Sequence, residues 1–148
     1  MNTRLLVFGV LLATAPACAR FATDGATPEG AVLVLNAAHQ EKDLEAVVAA
    51  RDFKAEARLM LSKLQPILVK NDELILKTAE TLETTFRTKL KVTGFEDQSE
   101  VETSFVGREE VTPDLMRVEE KRVKKDGSSV TRWVVVARGA SGWRVAKL

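Results

Sequence analysis

The last third of the chain restricts its fold most. Residues 115–124, 130–138 and 143–148 each read as a strand, and the gaps between them are turn sequences, Asp126-Gly127-Ser128-Ser129 and Gly139-Ala140-Ser141-Gly142. Asp-Gly and Ser-Gly between alternating runs are hairpin signals, because glycine supplies the positive φ that tight turns need. Within the runs the period is two. Val130, Arg132, Val134, Val136 and Arg138 alternate with Thr131, Trp133, Val135 and Ala137, and Trp143 and Val145 share one side of the last strand. An earlier strand is marked by Val101, Thr103 and Phe105 alternating with Glu102, Ser104 and Val106. A meander of this kind has an apolar face that needs a covering layer.

The first half supplies that layer. Thr27-Pro28-Glu29 is a helix start: a capping hydroxyl, a proline suited to the first helical position, and an acid at the positive end of the helix dipole. The helix over 31–40 places Val32, Leu35 and Ala38 or His39 on one face. Asp43 can cap a short helix over 44–50, with Leu44, Val47 and Val48 as its apolar side. After Arg51-Asp52, the residues Phe53, Ala57, Met60, Leu61 and Leu64 keep helical spacing until Pro66 stops them. From Asn71-Asp72-Glu73, Ile75, Ala79, Leu82, Phe86 and Leu90 step by four, three, four and four. This spacing predicts a helix over 72–91 despite its many threonines, which singly favour strand, and Gly94 ends it. The expected fold is α+β: N-terminal helices packed on a curved antiparallel β-meander of about four strands.

The start of the chain reads as a secretory leader. A short positive region, Met1-Asn2-Thr3-Arg4, precedes the apolar run LLVFGVLLA, which is too short to span a bilayer. Ala17-Cys18-Ala19 is an A-x-A-like cleavage site with Arg20 opening the mature chain. The expected organisation is therefore a signal peptide over 1–19, a linker over 20–26 and a single domain over 27–148, exported or periplasmic. Cys18, the only cysteine, offers the alternative of lipidation and anchorage at the membrane, although the bulky residue three places before it is missing. Cleavage after Ala19 leaves no cysteine, which excludes disulfides and zinc–thiolate sites.

Charge narrows the partners. The chain carries 22 basic and 21 acidic residues, and without Arg4, the only charge ahead of Arg20, the two counts are equal. A balanced chain with 5% aromatics and no tyrosine lacks both the field and the stacking surface of a nucleic-acid binder. The stretch 96–110 holds six acids against Arg108, while 117–148 holds nine bases against three acids. Neighbouring strands of opposite charge are expected to pair across the outer face of the sheet. A sharper alternative is a basic patch of Arg117, Lys121, Arg122, Lys124 and Lys125 for an anionic partner.

The run Thr27-Pro28-Glu29-Gly30-Ala31-Val32, the step Glu41-Lys42-Asp43-Leu44-Glu45-Ala46-Val47, and the ending Arg132-Trp133-Val134-Val135-Val136 with Gly142-Trp143-Arg144-Val145 resemble the nuclear-transport-factor-2-like superfamily, also called ketosteroid-isomerase-like or cone fold. The resemblance implies helices followed by a meander around a pocket. The helical stretch 53–91 is longer than that pattern allows, so either its first strand is replaced by helix or residues 67–70 are what remains of it. A helical hairpin lying across a four-stranded sheet is the competing layout.

Few residues offer chemistry. His39, the only histidine, is a candidate general base, set against a helix-end residue whose cation suits the helix dipole. Asp43 and Asp52 are acids expected near the pocket mouth, each with helix capping as its ordinary role. Arg51 is read as a surface partner of its neighbours. Trp133 and Trp143 are candidate pocket walls, although tryptophans in a small sheet are more often core, here with Val135 and Val145. The Gly139–Gly142 glycines belong to a hairpin, and there is no phosphate loop, metal ligand set or cofactor motif. The expected function is non-catalytic binding of a small apolar ligand or a protein partner through the concave sheet. An isomerase- or hydratase-like enzyme and a module that dimerises through its sheet are the alternatives.

Overall fold

Four side chains fix where the helices begin. Thr27 Oγ1 accepts from the Gly30 N–H (3.0 Å) and opens α1, Pro28–Glu41. Asp43 Oδ1 accepts from Ala46 N–H (3.0 Å) at α2, Leu44–Ala49, and Asp52 Oδ1 from Ala55 N–H (2.9 Å) at α3, Phe53–Leu64. Asn71 Oδ1 accepts from Leu74 N–H (3.0 Å) at α4, Asp72–Thr93. Each cap satisfies an N–H that the helix itself leaves unpaired, a contribution of about 1 kcal/mol. The computed structural model describes residues 24–147. The leader, its cleavage site and Cys18 lie outside them.

Pro66 ends α3 and starts a single 3-10 turn, Pro66–Lys70. The remnant of a first strand expected at 67–70 is thus helical. The strand-like contact lies earlier, at Arg51, which forms an isolated parallel bridge with Val145.

The strands β1 (Val101–Thr112), β2 (Leu115–Lys124), β3 (Ser129–Gly139) and β4 (Gly142–Lys147) form one antiparallel sheet in sequence order. With its helices this is the expected α+β arrangement. The outer edge of β4 does not stay open. Gly25 accepts from Trp143 N–H (2.8 Å), Ala50 accepts from Val145 N–H (3.0 Å), and Asp52 donates to Val145 C=O (2.8 Å). Gly142 sits at φ 109° with the Gly25 carbonyl 2.8 Å from where a Cβ would be, so only glycine fits that turn.

Helix α1 lies across β2, β3 and β4. Val32 and Leu35 of α1 and Val47 of α2 pack on Val118, Val134, Val136 and Val145, all buried, and each such side chain contributes about 1.5–3 kcal/mol. A second cluster, Phe53, Ala57, Leu61, Ile75 and Ala79, joins α3 to α4. Arg87 of α4 forks onto both oxygens of Glu45 in α2 (2.6 and 2.9 Å), which fixes the long helix against the short one.

The register corrects the expected core face of β3. Val118 pairs with Val134 and Glu120 with Arg132, so the helix-facing set is Val134, Val136 and Arg132. Trp133, opposite Glu119, points to the other face, is 38% exposed, and carries the Arg117 guanidinium 4.8 Å from its ring centre. The arginines at 132 and 138 mark their face as solvated in the sequence. In the fold Arg132 is instead neutralised inside by Glu120. Trp143 does pack against the core.

Arg117 bonds Glu109 (3.0 Å) across β1 and β2, while Lys125 bonds Glu100 (3.2 Å) and Arg122 bonds Glu96, both acids lying in the segment ahead of β1. Arg122 shares its face with Glu120 while Arg117 and Lys121 share the other, so the five bases do not form one continuous patch. Among the described residues no helix is long and apolar enough to cross a membrane.

Candidate functional site

Two places concentrate polar groups away from water. The first lies between α1 and the sheet. Glu120, with no exposed surface, accepts from Asn36 Nδ2 at one oxygen (2.8 Å) and from Arg132 Nε at the other (2.7 Å). One turn along α1 is His39, 6% exposed, edge-on to Phe95 at 6.1 Å. Its Nδ1 accepts from the Glu96 N–H (3.2 Å), which places the proton of the neutral ring on Nε2. Glu96 bonds Arg122 and accepts from Gln98 Nε2 (3.1 Å), and Arg122 Nη2 donates to Gln98 Oε1 (2.9 Å).

Burial pushes His39 below its ordinary value of 6.5, with the nearby arginines acting in the same direction and Glu96 against them. This shift and the acceptor role of Nδ1 both favour the neutral ring over a helix-end cation. Burial pushes the Glu96 carboxyl up, but the hydrogen bond and charge of Arg122 outweigh it, and Glu96 stays below the usual carboxylate value. Both Glu120 oxygens and the His39 Nδ1 are used within the cluster, so its geometry ties α1 and the segment before β1 to the sheet.

The second place is a groove of about 940 Å³ between α3, α4 and the end of the sheet. Its helical side carries Val48, Phe53, Leu76 and Ala79, and its sheet side carries Leu115, Ala137, Arg138 and Arg144. Arg51 stands at the junction, 9% exposed. Its guanidinium lies 4.3 Å from the Phe86 ring centre and 5.2 Å from that of Phe53, and its Nη2 bonds Glu56 (2.6 Å). The Nε atoms of Arg51 and Arg144 are buried without a hydrogen-bond partner. Among the described residues neither Arg138 nor Arg144 has a salt bridge, although Arg138 lies 6.0 Å from the Trp143 ring centre.

Of the residues singled out from sequence, Asp52 lines the groove, with one carboxylate oxygen on the α3 cap. Asp43 caps α2, and His39, Trp133 and Trp143 stand outside the groove lining. Sequence reasoning missed Asn36, Glu120 and Arg132, and read Arg51 as a surface residue. One signal was present: Glu119-Glu120 are adjacent in a strand, so one of the two must face the helices. Among the described residues no group of three or more His, Cys, Asp or Glu could hold a metal ion. No protein-family model matches the chain, and no curated protein or solved structure matches it.

Proposed function

We propose that the chain is a non-catalytic binding domain, acting after export, whose groove between α3, α4 and the sheet end takes up a small and largely apolar molecule. The observation that carries this reading is the groove itself. Its volume of about 940 Å³ falls in the range of small-molecule sites, and Val48, Phe53, Leu76 and Ala79 give its helical side apolar surface beside charged residues such as Lys54 and Glu80. The ligand site expected on the concave sheet moves to the sheet's end, because α1 and the Asn36–Glu120–Arg132 bonds fill the inner face. The α+β layout with a closing meander also supports membership in the cone-fold superfamily. Of the three acid–base candidates of the enzyme reading, the one lining the groove is Asp52, and the α3 cap engages it.

The test is a titration with the neutral fluorophore N-phenyl-1-naphthylamine, with Leu76→Trp as the groove-filling variant. Leu76 is an exposed lining residue, so the replacement is tolerated by the fold, which far-UV circular dichroism checks. Saturable enhancement that the variant abolishes is expected. No enhancement, or enhancement unchanged in a folded Leu76→Trp, overturns the proposal.

A further inference from the structure

We infer that the groove selects an amphipathic anion, a single acyl chain ending in a carboxylate, with the acid at Arg144 and Arg138 and the chain along Phe53, Leu76 and Ala79. This rests on the binding reading above and names the class of ligand.

The cations of the groove are unequal. Arg51 is committed: Glu56 meets its charge and two phenyl rings hold its faces. Arg58 is shared with Asp72 at 3.9 Å. Among the described residues Arg144, Arg138 and Lys54 have no salt bridge; Arg138 lies 6.0 Å from the Trp143 ring centre, and Arg144 Nε is removed from water without a hydrogen bond. A buried guanidinium N–H left unpaired is costly, and a carboxylate satisfies it with two parallel bonds. Gly139 leaves room for this guanidinium, since a Cβ there would stand 3.3 Å from Arg144 Nη2.

The acids of the groove do not fill the role. Asp52 caps α3, and Glu83 bonds Arg87 (2.8 Å). Glu80, on α4, lines the groove and among the described residues forms no salt bridge with either arginine. Asp114 offers its backbone carbonyl to Arg138 N–H (2.8 Å), while its carboxylate forms no salt bridge with either arginine. The sheet end thus sets two arginines, beside Asp114, against the apolar surface of Phe53, Leu76 and Ala79, an arrangement that suits a fatty acid.

Isothermal titration of the full-length chain with dodecanoate, dodecanol and dodecyltrimethylammonium, each below its micelle concentration, tests the inference. Dodecanoate is expected to bind about ten-fold or more tighter than dodecanol, with the ammonium weakest. The double variant Arg138→Gln with Arg144→Gln should bind acid and alcohol alike. Equal binding of acid and alcohol to the unaltered chain, tightest binding of the ammonium, or a preference that survives in the double variant overturns the head-group assignment alone. Absence of binding by all three removes the groove reading and this inference together.

Discussion

His39 ties one protonation to the path of the chain. Its Nδ1 holds the Glu96 N–H, a contact available only to the neutral ring. Burial lowers its proton affinity in the fold, whereas the unfolded chain takes a proton near the ordinary value of 6.5. The unfolded state therefore binds more protons in this window, and stability falls as pH drops through about 6.5 toward the lower folded value. Glu96, lowered from 4.5, has the same sign, but its contribution is lost only at more acid pH. As His39 is the only histidine, the interval from about pH 5.5 to 7.5 reports on it. Urea unfolding should give a lower midpoint at the acid end, and His39→Gln, whose amide oxygen can still accept from Glu96 N–H, should flatten the difference. A difference that persists in the variant would assign the effect elsewhere.

At the scale of elements, Glu120 joins three of them: β2 that carries it, β3 through Arg132, and α1 through Asn36. Glu120→Ala leaves Arg132 without its counter-charge and should cost about 3–5 kcal/mol. Removing both charges, as Glu120→Leu with Arg132→Leu, should cost less than the sum of the single changes, with a coupling of about 1–3 kcal/mol in a double-mutant unfolding cycle. Additive losses would mean the two act independently. This pair also shows where sequence stops being readable. The caps at Thr27, Asp43, Asp52 and Asn71 and the Ile75–Leu90 spacing are local, so they are legible. The inward face of β3 is not, because an arginine reads as a solvent marker until its buried partner on another strand is known. The Arg51 bridge to β4 is hidden for the same reason: it joins residues far apart in the chain.

For the whole molecule, the layers leave one consequence. Helix α1 covers the inner sheet face, while α3 and α4 pack mainly on each other through their own cluster. Between this second cluster and the sheet end the groove remains, assembled from α2, α3, α4, the β1–β2 turn and the β3–β4 hairpin. No window of sequence contains it. The sequence did carry its ingredients, the glycine-rich hairpin and its flanking arginines, but their meeting with Phe53 and Leu76 depends on the β4 edge docking at Ala50 and Asp52. The most direct measurement is an amide ¹H–¹⁵N titration with dodecanoate. Shifts should concentrate at 48–55, 76–83 and 137–144, and leave Glu102, Ser104 and Lys121 on the far side unmoved. Shifts centred on that far side, around Trp133, or along α1 would contradict the assignment of the groove.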